Sequence, residues 1–160
     1  MIDDIDRQIL SILQHDARTS NAEIARQLCM APSAILERIR KLETRQLIQG
    51  YEARLNPRAL DLGLLAFISV RADERMGSAS TGELLAALPE VQEVHHIAGE
   101  DCYLVKVRVA STEALGRLLR EPFAAIPTIR STRTTIVLST IKESAALPIM
   151  KGEAHVHVSD

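Results

Sequence analysis

The sequence predicts an α+β protein: a winged helix-turn-helix followed by a ferredoxin-like βαββαβ sheet. Three observations carry this. Residues 20–42 hold two short helix-forming stretches around a tight corner. Beyond Asn56-Pro57-Arg58 and Leu62-Gly63 the apolar pattern changes to alternation and short apolar runs. Between these regions, Pro57 lacks an N–H and restricts Asn56 to extended backbone, which marks a break.

The first helix is read from Ile5, Ile9, Leu10, Ile12 and Leu13, with Asp3 or Asp4 as its cap. Ser20 and Glu23 have the spacing of a capping box, and Ile24 and Leu28 form the next apolar stripe. Ala25 beside that stripe allows close approach of another helix. Pro32 suits a first helical position, where its missing N–H has no helical partner anyway. Ile35, Ile39 and Leu42 then face inward at i, i+4, i+7. Residues 47–55 alternate around Gly50, as a short hairpin or wing would.

In the third helix Ser33, Ala34, Glu37, Arg38 and Lys41 fall off the inward stripe. From Ser33 to Gln46, four basic residues against two acidic ones leave +2, in a chain of net charge −2. A basic run is often only a solvated face. In a helix-turn-helix it is also how a protein presents a helix to the major groove of duplex DNA. Ser33, Ala34 and Glu37 are expected near base edges, and Arg38 and Lys41 at phosphates, which position without specifying sequence. Arg40 ranks lower, because Glu37 or Glu43 can pair with it.

The strands and helices of the second part follow in order. Leu64–Val70 is a continuous apolar, β-rich run. Glu83–Leu88 is helical, with Ser80 and Glu83 spaced as a second capping box, and Pro89 stops it. Val91–Ile97 and Tyr103–Val109 alternate around a turn at Gly99–Cys102. Ser111 caps a helix through Leu115, Leu118 and Leu119 to Glu121, ended by Pro122, and Ile129–Leu138 is a last strand. This βαββαβ order gives an antiparallel sheet with both helices on one face. The other face needs a cover, and a second copy of the same sheet is the expected one, in a symmetric homodimer.

Composition narrows the function classes. The chain has 160 residues, 46% apolar and 25% charged, enough for a core. No apolar run approaches the ~18 residues of a membrane span, and no basic-then-apolar leader is present, so no membrane partner is expected. Cys29 and Cys102 form no framework or paired-Cys metal site, which points to a reducing cytoplasm. Two Tyr, two Phe and no Trp disfavour a single-strand binder, which needs stacking platforms. His95 and His96 lie on opposite strand faces and do not readily share a metal, though one is expected in core or interface. His155 and His157 would share a face if extended, in a tail after Pro148 that is more often disordered. No metal or cofactor is called for.

The chain resembles the Lrp/AsnC (feast/famine) family of transcription regulators. The matching stretches are Asp4–Leu10, Leu13–Arg18, Arg38–Glu43, Ile48–Tyr51, Pro89–Val91, Ala98-Gly99, Tyr103–Val107, Ser131–Thr134, Ile136–Leu138 and Lys142. The resemblance implies a helix-turn-helix domain over 1–50, a hinge over 51–62, a RAM effector and oligomerisation domain over 63–142, and a tail over 143–160. It implies dimers that assemble further, to tetramers or octamers, with an amino acid bound between them. The effector loop would be Gly99, Glu100, Asp101, Cys102 and Tyr103. Asp101 stands where an aromatic is common and Cys102 where a second Asp is. Its carboxylates suit an α-ammonium group, and equally a plain polar hairpin. Arg130, Thr132 and Thr134 alternate onto one face of the last strand and offer charge and hydroxyl contacts, although Thr also simply suits a strand. Cys29 occupies a corner where the family commonly has Gly, and Ala31 a cap where it has Ser. Two alternatives use the same architecture: a sirohaem-decarboxylase-like enzyme, and a sensor that has lost DNA binding. The enzyme's aromatic cluster with Trp has no counterpart here.

Overall fold

The computed structural model describes residues 2–73 and 80–149. The chain divides into two compact units. One comprises the residues up to Arg54 with the described residues from Glu143, and the other runs from Leu55 to Lys142. Among the described residues no helix is long and apolar enough to cross a membrane.

The first unit contains α1 (Asp4–His15), α2 (Asn21–Leu28) and α3 (Pro32–Thr44). Their apolar stripes meet in one cluster: Ile9 and Leu13, Ile24 and Ala25, then Ile35, Ile39 and Leu42. Asp3 caps α1 in a complete capping box with Asp6. Ser20 caps α2 by accepting from the Glu23 N–H at 3.2 Å. The return half of that expected box is replaced, because the Glu23 carboxylate is taken by Arg26 and Gln27. Cys29 turns the corner at φ 53°, left-handed backbone that glycine adopts more cheaply. Ala31 supplies no side-chain cap, and Pro32 opens α3. The expected wing is not built within the chain. Residues 47–55 join no strand ladder, because a local alternation supplies faces but no partner strand. Residues 143–149 belong to this unit, where Gln14 donates to the Leu147 carbonyl and accepts from its N–H, both at 3.0 Å.

The second unit is β1 (Leu64–Ala72), α4 (Ser80–Ala86), β2 (Val91–His96), β3 (Tyr103–Val109), α5 (Thr112–Leu118) and β4 (Ile129–Ile136). The strands form one antiparallel sheet in the order β2-β3-β1-β4. Ala66, Ile68 and Val70 of β1 and Tyr103, Val105, Val107 and Val109 of β3 cluster with Leu85, Leu115, Leu118 and Phe123. Ser111 caps α5 as its position implied. Pro122 does not end the helical run. A single wider turn over Leu119–Phe123 absorbs it, which relieves the donor that proline lacks. Helix α4 already includes Ser80 and stops at Ala86, short of Leu88.

Gly82 fits α4 onto the sheet. A Cβ there would lie 2.9 Å from Cε1 of Tyr103, whose ring is only 4% exposed. The ring cannot swing away without opening the core. Replacing Gly82 with Ala is therefore expected to destabilise the unit by about 1–3 kcal/mol, read as a lower urea midpoint, with relief when Tyr103 is also shortened to Leu.

Candidate functional site

Burying Ile35, Ile39 and Leu42 turns the opposite side of α3 to solvent. Ser33, Glu37 and Arg40 are exposed there at i, i+4 and i+7, on one stripe. Lys41 flanks it and forms an i, i+4 bridge to Glu37 at 2.7 Å, with both side chains about two-thirds exposed. That ammonium holds the Glu37 carboxyl below its ordinary range. A pair this exposed is weak and can exchange partners. Arg40, ranked low from sequence because Glu37 or Glu43 might take it, has no ion pair among the described residues. Leu36, which sequence reasoning missed, is 37% exposed beside the stripe. Its signal was available, since it lies outside the i, i+4, i+7 inward set. Apolar contact of this kind suits a thymine methyl group.

Arg38 does not sit where the sequence placed it. It is half-buried near the inward seam, and its Nη1 donates at 2.7 Å to Asp3 and at 2.7 Å to Asp6. Ala34 is likewise half-buried. No local pattern announces a partner more than thirty residues away.

The second set of expected residues divides. Gly99 has φ +142°, a conformation L side chains rarely adopt, within the turn that the Ile97 N–H closes on the Cys102 carbonyl at 3.0 Å. Glu100 is exposed. Asp101 accepts from Arg133 Nη2 at 2.8 Å, so its charge is already countered by a residue the sequence reading did not select. Cys102 is bound to β1: its N–H donates to Val70 and its thiol lies 3.3 Å from the Ala72 carbonyl. Tyr103 is a core residue rather than a free pocket wall. Thr132 and Thr134 pair with Val70 and Ile68, so they share the helix-facing side of the sheet. Arg133 pairs with Ser69 on the other side. Arg130 is engaged by Asp73. Loop and last strand are thus adjacent, but their polar groups point to both faces. Thr81, also missed, is fully buried with its hydroxyl on that of Thr128.

Neither histidine lies in the core, the first of the two places expected for one of them. Both are exposed, His95 beside Glu93 and His96 with its ring centroid 5.1 Å from that of Tyr103. Among the described residues no group of three His, Cys, Asp or Glu is placed to hold a metal. His155 and His157 lie outside the described residues.

A three-helix reader with its third helix outward, followed in the chain by a βαββαβ sheet, defines a two-domain DNA-binding regulator. The comparisons agree. Residues 2–43 match the AsnC-type helix-turn-helix domain, and residues 65–147 match the Lrp/AsnC ligand binding domain. The leucine-responsive regulatory protein of Salmonella typhimurium is 40% identical, over 92% of both chains. A transcriptional regulator from Neisseria meningitidis in complex with L-Met superposes with a TM-score of 0.86 at 27% identity, covering 92% of this chain and 97% of that one. A feast or famine regulatory protein from M. tuberculosis complexed with L-methionine gives 0.85 at 35% identity, covering 92% and 99%. The chain belongs to the Lrp/AsnC family of transcriptional regulators.

Two carboxylates of the reader have a definite pH signature. The Asp6 N–H, then the Arg38 guanidinium, hold the Asp3 carboxyl below its usual range. Arg26, then Gln27, hold Glu23 down to about 2. Both groups are more acidic folded than unfolded, so the unfolded chain binds more protons in acid. The Glu23 contribution is complete above the ordinary carboxylate range and lost as the pH falls toward about 2, and that of Asp3 is lost in the same direction. Urea midpoints measured across that window should decline, and the Asp3→Asn variant should decline less steeply.

Proposed function

We propose that this chain is a sequence-specific DNA-binding regulator that works as a homodimer or larger homo-oligomer and responds to an amino acid. The exposed stripe of Ser33, Glu37 and Arg40, flanked by Lys41, carries the proposal. Serine and glutamate offer hydrogen bonds to base edges, Glu37 to the cytosine amino group. Arg40 and Lys41 offer charge to phosphates. The departures at Cys29 and Ala31 alter the approach to α3 but leave this stripe in place.

The uncovered face of the sheet supports self-association. Phe67 and Leu104 lie on the side away from the helices and are only partly buried within the chain. A second copy would cover them, and a symmetric pair would carry two readers to two half-sites. The amino-acid effector is supported by the relatives complexed with L-methionine. The free thiols of Cys29 and Cys102 fit a reducing cytoplasm.

The test is a gel shift of the full chain on the DNA upstream of its own coding region, across a salt series and with single amino acids added. Retarded duplex and an affinity that changes with at least one amino acid are expected. Arg40→Ala and Lys41→Ala should each weaken binding and lower the log–log salt slope by about one. Unretarded duplex at low salt would contradict DNA binding. Identical affinity with every amino acid at millimolar concentration would contradict effector control.

A further inference from the structure

We propose that Arg38 is a positioning residue that sets the pose of the recognition helix by locking α3 onto the amino-terminal cap of α1. The inference rests on the DNA-binding function proposed above and assigns Arg38 a role opposite to a phosphate contact.

The geometry is closed. Asp3 Oδ1 accepts from the Asp6 N–H at 2.8 Å, and Asp6 Oδ2 accepts from the Asp3 N–H at 3.3 Å. The remaining oxygens, Asp3 Oδ2 and Asp6 Oδ1, each accept from Arg38 Nη1 at 2.7 Å. Every carboxylate oxygen of the cap is therefore used, two on backbone and two on one guanidinium nitrogen. The Asp3 and Arg38 side chains are partly exposed, while Asp6 is 9% exposed. A carboxylate that buried needs its counter-charge, and Arg38 is the cation that reaches it.

Charge decides between the two roles. Two carboxylates and one guanidinium leave these three residues at −1, so Arg38 itself brings no surplus positive charge to a phosphate. Drawing Arg38 out to the duplex would also strand Asp6 without its partner. A cation placed for phosphates sits instead on the exposed stripe, as Arg40 does, or beside it, as Lys41 does. Among the described residues these two charged hydrogen bonds from Arg38 join α3 to the start of α1, beside the apolar contacts of the shared core. Apolar contacts tolerate sliding, whereas charged hydrogen bonds fix direction.

The two roles give opposite signs for one substitution. Asp6→Asn removes a buried negative charge from the DNA-binding unit. If Arg38 met phosphate, that change would free it and strengthen binding. If Arg38 is a strut, the change loosens α3, and duplex affinity should fall about tenfold. The experiment measures affinity and its salt dependence for the full chain, with Asp6→Asn, Asp3→Asn, Arg38→Gln and Lys41→Ala in parallel. Thermal unfolding is recorded for each. Asp3→Asn covers the case in which Asp6→Asn fails to fold, because Asp3 is more exposed and its loss should act in the same direction. Arg38→Gln should weaken binding with an unchanged salt slope, while Lys41→Ala lowers the slope by about one. Tighter binding by either Asn variant, or a slope lowered by Arg38→Gln, overturns the inference. Absence of binding by the unaltered chain would instead overturn the DNA-binding function itself.

Discussion

The seam of Ile35, Ile39 and Leu42 against Ile9, Leu13, Ile24 and Ala25 is the constraint on which the reader depends. A three-helix unit of about fifty residues has little else to hold it, since full burial of such side chains contributes about 1.5–3 kcal/mol each. That seam selects which side of α3 faces water. Ser33, Glu37 and Arg40 are exposed because Ile35, Ile39 and Leu42, on the opposite side of the helix, are not. An extra methyl on the seam is felt as strain, and a missing one as a cavity. The polar face has no such demand, so it is free to differ in the residues it offers to DNA.

The second unit applies the same logic to a sheet. Alternation in β3 buries Tyr103, Val105, Val107 and Val109 against the helices, and leaves Leu104, Lys106 and Arg108 on the other side. One side is completed within the chain and the other is not. The loop at Gly99–Cys102 sits at the end of β3, tied to β1 through Cys102 and to β4 through Asp101 and Arg133. A ligand recognised there by its ammonium group would meet the exposed side chain of Glu100, with Asp101 already committed to Arg133. Any effect on DNA binding would need unequal affinity for two arrangements of the protein.

How much was legible follows from how local each signal is. The cap at Asp3 or Asp4, Pro32 at the start of α3 and the inward stripe of α3 depend on residues within a turn or two, and each is found in place, with Asp3 as the cap. Cys29 in left-handed backbone agrees with a corner that usually takes Gly. The alternation from residue 103 to 109 already placed Tyr103 with the buried valines, and weighing it would have moved Tyr103 from the effector loop to the core. Arg38 was beyond reach, because Asp3 and Asp6 come near only after three helices have packed. Glu23 shows competition on a local scale: the cap offered one partner and Arg26, a turn onward, took it. The missing wing and the division of the loop and last strand between two faces share a cause, since a strand or a pocket needs partners that spacing along one segment does not name.

The most direct measurement of the central claim is dimethyl sulfate footprinting of a bound duplex, which separates guanine N7 in the major groove from adenine N3 in the minor groove. An outward α3 lodged in the major groove should protect guanine N7 in patches about one helical turn apart. Protection confined to adenine N3, or none on a duplex that the chain demonstrably binds, would contradict the account.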